Sequence, residues 1–323
     1  MWDFSFGRAI AMVIQTLPFI VLRIILYVGI ALSYAVTVGI GGALGWGFGH
    51  MGAGAPASAA LWGSVIGFVF VSGALFLARE YILYLVKAAH IAVLVEIYDG
   101  RSVPAGQSQI GYGATFVKAH FAVSSVLFGV DQLIKAVLRS LFRTINFFSA
   151  FLPIPALQSL IRLAESFVRM SLTYVDEIIL AYLIRTKTIN PWGTARDGLI
   201  LFAQNYTHFL KNAAWLSLMM WALTFVLFFA LLAPAAAFVA LMNSPSGYWA
   251  FGLSLVIALA FKKAIMEPIA IAALMQVYFK EIEGQTPNAE WTARLEQVSS
   301  RFRDLGQKAS GWEPGPAAPV APA

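Results

Sequence analysis

Cysteine is absent from the 323-residue chain, and charged residues are scarce. Without cysteine the protein has no disulfide, no thiolate nucleophile and no cysteine-ligated metal. Charged residues make up 12% of the chain and hydrophobic residues 59%, whereas soluble domains are about 25% charged and about 45–50% apolar. This balance excludes a soluble globular enzyme and a disordered chain. The sequence therefore predicts an all-α integral membrane protein.

Signatures of catalysis and of metal binding are missing as well. The four histidines are scattered, and no P-loop, His-Glu-x-x-His or Gly-x-Ser-x-Gly motif occurs. We therefore predict no enzymatic activity, no metal and no cofactor. The net charge of +6 is assigned to the cytoplasmic flanks of membrane helices rather than to nucleic-acid binding.

Two long uncharged segments place the membrane. Residues 24–78 and 212–261 contain no Asp, Glu, Lys or Arg, and each has room for two spans of about 20 residues. Their flanks are basic, so we predict two hairpins with outer tips, both termini cytoplasmic, and a plasma (inner) membrane location. The first apolar run is too long for a signal peptide and is expected to be retained. At least four transmembrane helices are predicted, at 22–46, 58–79, 214–240 and 248–266.

Glycines recur at four-residue intervals in the first hairpin. They are Gly41, Gly45 and Gly49 in the first span and Gly63 and Gly67 in the second. Small residues at this spacing let helices approach closely in lipid. We favour packing within the hairpin over a dimer interface.

The two halves of the chain resemble each other. One constant offset superposes Ala88-Ala89 on Ala272-Ala273 and Gly100 on Gly284. This predicts a parallel internal repeat, with chance similarity between apolar helices as the alternative. The segments after the second and fourth spans, 80–98 and 264–282, carry charges. We expect them to leave the bilayer or to lie at its cytoplasmic surface.

Residues 105–195 are predicted to form an amphipathic helical hairpin, with helices at about 114–150 and 156–187. Charges recur every four residues along the first helix, from Asp131 to Arg143, where they form a polar stripe, and a second polar stripe follows the other helix. In one interpretation the apolar faces lie in the inner leaflet and the polar stripes lie among the lipid headgroups. In the other, the helices enter the bilayer and the polar stripes line a pathway. The stripe and pathway candidates are Asp131, Lys135, Arg139, Arg143, Glu165 and Arg169.

Short motifs in the second half resemble the choline transporter-like family. They are Ala181-Tyr182, Asn190, Ala195-Arg196-Asp197 and Asn205. The likeness covers about residues 174–284, and Gly198 departs from the family's usual Ala. It implies a multi-span permease for choline or a similar organic cation. The physical interpretation of the same segment is a helix start, with Thr194 as N-cap and Asp197 in the first turn.

Acidic residues near aromatic rings are candidates for cation binding. Asp176-Glu177 lie close to Tyr174 and Tyr182 in sequence, and Glu267 precedes a proline. The alternatives are ion pairs of Asp176-Glu177 with Arg169 or Arg185, and of Glu267 with Lys263. The predicted substrate-binding residues are Asp176, Glu177, Tyr174, Tyr182, Glu267 and Asn205.

The C-terminal segment is predicted to be an amphipathic helix followed by a disordered Pro/Ala tail at 311–323. Thr286 is its expected N-cap, and its apolar seam is expected to dock on the membrane face or on the central hairpin. The predicted divisions of the chain are 1–104, 105–195, 196–284, 285–310 and 311–323.

Two functions follow from these patterns. The leading one is transport or permeation of choline-like organic cations through a lipid bilayer. The alternative is a non-transporting membrane scaffold or assembly subunit that binds a partner through the central hairpin and the C-terminal helix. A homo-oligomer and a membrane-protein partner both remain open.

Overall fold

The computed structural model describes residues 2–51, 55–120, 124–150, 174–187, 189–241 and 247–313, and all regular structure in these ranges is helical. The all-α prediction is confirmed for this part of the chain. Helices α1 to α12 span Phe6–Gln15, Leu17–Met51, Pro56–Tyr98, Gln109–His120, Ser124–Ala150, Val175–Thr186, Pro191–Gln204, Tyr206–Leu241, Gly247–Phe261, Glu267–Glu281, Ala289–Val298 and Ser300–Ser310, and a π-helical turn at Lys262–Met266 joins α9 to α10.

The chain divides into two compact units, residues 18–87 and residues 1–17 with 88–323. In the first unit α2 and α3 pair antiparallel through their glycines. A Cβ atom at Gly41 would overlap the carbonyl oxygen of Gly63, and one at Gly45 would overlap that of Ala59. The predicted packing within the hairpin is therefore confirmed.

Four helical segments among the described residues have the length and apolar composition of membrane spans: Leu17–Met51, Pro56–Gly73, Glu80–Tyr98 and Tyr206–Leu241. Three of them coincide with predicted spans. The predicted span 248–266 does not qualify by itself, because α9 has only 15 residues and is about 22 Å long, less than the ~30 Å of a bilayer core.

The segments 80–98 and 264–282 were expected to leave the bilayer or to lie at its surface. Their position relative to the bilayer stays a prediction, and the structure buries their central parts in protein. Residues 88–96 and 270–279 are buried without interruption. These central parts are largely apolar, and such a helix is stable only when it is covered on all sides. The remaining helices of the second unit supply that cover.

The second hairpin pairs α8 with the continuous rod formed by α9, the π-helical turn and α10. Phe228 stacks edge-on against Phe251, with ring centroids 5.1 Å apart, and Phe209 lies 6.4 Å from Tyr278. Large apolar side chains are exposed along α8 and α9 as far as Phe261, as in a lipid-facing surface.

The two halves have the same order of elements. A short helix (α1 or α7) leads into a long helix of 35 or 36 residues (α2 or α8), and a returning helical segment follows. Each returning segment ends before a glycine in the left-handed region, Gly100 at φ 77° and Gly284 at φ 72°. Whether the halves form a true repeat stays a prediction.

The central amphipathic segment is packed against protein. Its described helices are α4, α5 and α6. Val130, Ile134 and Val137 on α5 are buried, and α5 contacts α6, α7 and α12. The expectation that this part of the apolar face lies in lipid is therefore wrong. The side chain of Arg143, and Glu165 and Arg169 entirely, lie outside the described residues.

Two helix starts differ from their predictions because asparagine side chains cap them earlier or later than expected. Asn190, not Thr194, caps α7 by accepting a hydrogen bond from the Gly193 N–H at 3.0 Å, which places Asp197 in the second turn. The predicted boundary between residues 195 and 196 therefore falls inside α7. Asn288, not Thr286, caps α11.

The C-terminal segment forms two helices rather than one. Ser299 adopts an extended conformation and caps α12 with its side chain. Phe302 and Leu305 are buried, and α12 packs on α7 and α5, so the predicted docking on the central hairpin is confirmed for α5. Most of the predicted disordered tail, 314–323, lies outside the described residues.

Substitution Gly45→Ala is expected to destabilise the first hairpin by about 1–3 kcal/mol, because the added methyl meets backbone that has no room to shift. Gly47→Ala is the matched control, since a Cβ there meets nothing within 4 Å. Thermal unfolding in detergent measures both. Equal Tm values for the two variants would contradict the glycine contact.

Candidate functional site

Four of the six predicted substrate-binding residues lie on two helices that pack against each other. Tyr174, Asp176 and Glu177 are at the start of α6, and Glu267 begins α10. Burial, followed by the charges of Glu267 and Glu177, raises the pKa of the Tyr174 hydroxyl. Both carboxylates therefore lie within electrostatic range of this hydroxyl.

Two lysines of the π-helical turn face the same carboxylate. Lys263 Nζ lies 2.6 Å from Glu267 Oε1, and Lys262 Nζ lies 3.7 Å from the same oxygen. The Glu267–Lys263 pair was the predicted alternative to cation binding, and it is present. We call Tyr174, Glu177, Lys262, Lys263 and Glu267 the junction cluster.

Trp221 of α8 completes the surroundings of Lys262. The Lys262 ammonium lies 4.9 Å from the centroid of the Trp221 ring. One turn further along α8, the Thr224 hydroxyl donates a hydrogen bond to Met266 Sδ at 3.6 Å. The π-helical turn is thus level with residues 221–224 of α8.

The junction cluster lies at the end of α9 that is remote from its start at Gly247. Lys262 is 15 residues from Gly247, a helical rise of about 22 Å. Glu267 is five residues further, at about 30 Å, which is comparable to the thickness of a bilayer core. The cluster therefore adjoins one end of the exposed apolar surface of the second hairpin.

A second acidic group joins α5 to α6. Lys135 Nζ lies 2.7 Å from Asp131 Oδ2 and 3.5 Å from Asp176 Oδ2, and both carboxylates are buried. The expected partner Arg185 pairs instead with Asp99. Asp131 and Lys135 of the stripe therefore face protein, and Arg139 is exposed.

Tyr182 and Asn205 lie away from the junction cluster. Tyr182 packs on Tyr278, whose hydroxyl donates to the carbonyl oxygen of Gly198 at 2.8 Å. Asn205 ends α7 and donates a hydrogen bond to Gln285 Oε1 at 2.9 Å. Both side chains are involved in helix packing, and their part in a binding site stays a prediction.

Arg185 was not selected by sequence reasoning as a contact residue of the core. Its guanidinium lies 5.3 Å from the Tyr98 ring centroid and 4.5 Å from that of Phe279, and its Nη2 is 3.0 Å from Asp99 Oδ1. The ends of both buried core segments therefore meet at one arginine. No local spacing relates these residues, so only the fold brings them together.

Glu96 is the centre of a neighbouring charged group. Arg101 forms an ion pair with it, and Lys187 Nζ lies 3.7 Å from its Oε1. Burial, followed by the negative charge of Glu96, raises the pKa of the Tyr112 hydroxyl to about 12. Tyr112 therefore stays protonated at neutral pH.

Comparison with known proteins adds no assignment. No family model matches the chain, and no curated protein or solved structure matches it. Within the described ranges, no group of three His, Asp or Glu side chains is arranged to hold a metal ion. A functional assignment therefore rests on the chemistry of these residues.

Asp197→Asn is expected to raise stability at neutral pH. Burial raises the pKa of the Asp197 carboxyl above its ordinary value of 3.8, partly offset by Arg196. The folded protein thus binds the Asp197 proton more tightly than the unfolded chain does. The protonated carboxyl contributes stability below pH 3.8, and this contribution is lost as the pH rises from 3.8 through the pKa of the folded state. The Tm gain should shrink as pH falls through that window, and a gain that does not change with pH would contradict the buried carboxylate.

Lys135→Met is expected to destabilise the protein by about 1–3 kcal/mol, because two buried carboxylates lose their shared cation. Arg139→Met, one turn further along α5 and exposed, is the matched control and should change stability by less than about 0.5 kcal/mol. Thermal unfolding in detergent compares them. Similar losses for both variants would show that the α5–α6 pairing contributes nothing specific.

Proposed function

We propose that this chain is a membrane transport protein for a small organic cation and that the junction cluster is its binding site. The observation that carries the proposal is the convergence of the buried carboxylates Glu177 and Glu267 with Tyr174, beside Trp221. Carboxylates next to aromatic faces are the groups that hold ammonium ions.

The energetics favour a functional role for this cluster. Removing a carboxylate from water costs several kcal/mol, and a buried ion pair recovers that cost only with good geometry. A helical hairpin that only anchors a protein gains nothing from such charges. Buried ionisable groups at the end of an exposed apolar surface are therefore candidates for binding an ion or substrate that enters there.

The proposed setting is the plasma (inner) membrane, with both termini cytoplasmic and the hairpin tips outside. The common order of elements in the two halves supports a parallel repeat, and transporters often bind substrate where repeats meet. The resemblance of residues 174–284 to the choline transporter-like family supports choline-like cations as the substrate class.

The alternative function, a scaffold or assembly subunit, needs an available surface on the central hairpin and the C-terminal helices. The described residues offer less of that surface than the sequence implied. Phe302 and Leu305 are buried, and Arg196 of α7 holds Glu296 of α11 at 2.7 Å. These contacts favour an internal structural role for the C-terminal helices.

Uptake by reconstituted protein tests the proposal. Proteoliposomes with the full chain should take up radiolabelled choline or tetramethylammonium faster than protein-free liposomes. Glu267→Gln and Glu177→Gln should each lower the initial rate about tenfold or more, equivalent to about 1.4 kcal/mol of lost interaction. The exposed Glu290→Gln is the control and should transport at the wild-type rate.

Two results would contradict the proposal, the first its function and the second its binding site. One is wild-type uptake equal to that of protein-free liposomes for both cations. The other is uptake that is equally fast in wild type, Glu267→Gln and Glu177→Gln, which would place the pathway elsewhere. In the first case, recovery of a defined membrane-protein partner with the detergent-solubilised chain would favour the scaffold function.

A further inference from the structure

Lys262 occupies a position that suits an external ammonium ion. Its ammonium lies over the Trp221 ring, 4.9 Å from the centroid, and 3.7 Å from Glu267 Oε1. Only 10% of its side chain is exposed. An indole face and a carboxylate that contact the same cation are the groups that recognise alkylammonium ions.

The charge of Glu267 does not depend on Lys262 alone. Lys263 approaches the same oxygen more closely, at 2.6 Å, and half of its side chain is exposed. Loss of the Lys262 ammonium would therefore leave Glu267 paired. The buried lysine is the one that an incoming cation can replace without leaving an isolated carboxylate.

The backbone at Lys262 departs from α-helical geometry. Pro268 has no N–H and its ring conflicts with the carbonyl of residue 264, which interrupts the α-helical hydrogen-bond pattern. The Glu267 N–H instead bonds to the carbonyl of Lys262, five residues back. Because a π-helical turn holds one extra residue, converting it to an α-helical turn rotates the preceding residues by about 100°. That rotation would carry Lys262 away from Trp221.

We infer that Trp221 and Glu267 form a binding site for an alkylammonium group and that Lys262 occupies it as a tethered competitor in this state. This inference rests on the proposed function, which it deepens by assigning Trp221 to the site and by giving Lys262 the role of a gate. A quaternary or primary ammonium ion binds when Lys262 leaves. When the cation departs, Lys262 returns and the site closes.

Chemical rescue in the full chain tests the site. In Lys262→Ala, tetramethylammonium or ethylammonium chloride should raise the Tm in detergent by about 2–4 °C relative to equimolar sodium chloride, because the ligand fills the vacated position. Lys263→Ala, which keeps Lys262 in place, is the matched control and should show no ammonium-specific rise. Adding Trp221→Leu or Glu267→Gln to Lys262→Ala should abolish the rise.

Wild-type protein provides a second measurement that does not depend on any variant folding. Acetylation of lysines, followed by mass spectrometry, reports the accessibility of Lys262. Saturating tetramethylammonium should increase the acetylation rate of Lys262 several-fold relative to sodium chloride and should leave Lys211 unchanged. If the rate of Lys262 is unaffected, and no ammonium-specific rise in Tm occurs in Lys262→Ala, the inference is wrong.

The outcomes separate this inference from the proposed function. Uptake of choline without displacement of Lys262 would leave transport standing and remove this site. Displacement of Lys262 without uptake would keep the site and exclude transport of these cations.

Discussion

The second compact unit depends on the burial of two largely apolar helical segments, residues 88–96 and 270–279. Each is buried without interruption, so each must be covered on every side. The surrounding elements satisfy that requirement: α1 and α6 pack on α10, and Gly113, one of the two glycines of α4, lies against the backbone of Ala89. Charges that fall within this core must find partners inside it, which explains the tight ion pairs around Glu96, Asp176 and Glu267.

Features that depend on local spacing could be predicted from the sequence. The long apolar helices follow from the uncharged segments, the glycine contact follows from the four-residue intervals, and the Glu267–Lys263 pair follows from i,i+4 spacing. Features that depend on tertiary contacts could not. An apolar helix covered by protein has the same composition as one covered by lipid, so the sequence could not show that protein covers the central part of segment 80–98. Lys135 with Asp176, and Trp221 with Lys262, meet only after folding.

Asparagine capping and proline account for most of the boundary differences. Asn190 and Asn288 fix the starts of α7 and α11 where threonines had been expected, since an Asn side chain also accepts from the orphan N–H groups. Pro268 was visible in the sequence as a helix breaker. Its actual effect, a wider turn that points two consecutive lysines at one carboxylate, requires the three-dimensional path of the chain.

Arg185 contacts Tyr98 and Phe279 at the ends of the two buried segments. The ring centroids lie 5.2 Å apart, and the guanidinium lies 5.3 Å from that of Tyr98 and 4.5 Å from that of Phe279. The rings therefore contact each other directly, and the guanidinium packs on both. Because the three groups come from three elements, displacing any one of them breaks its contacts with the other two. This end of the core therefore fastens α6 to the last turns of α3 and α10.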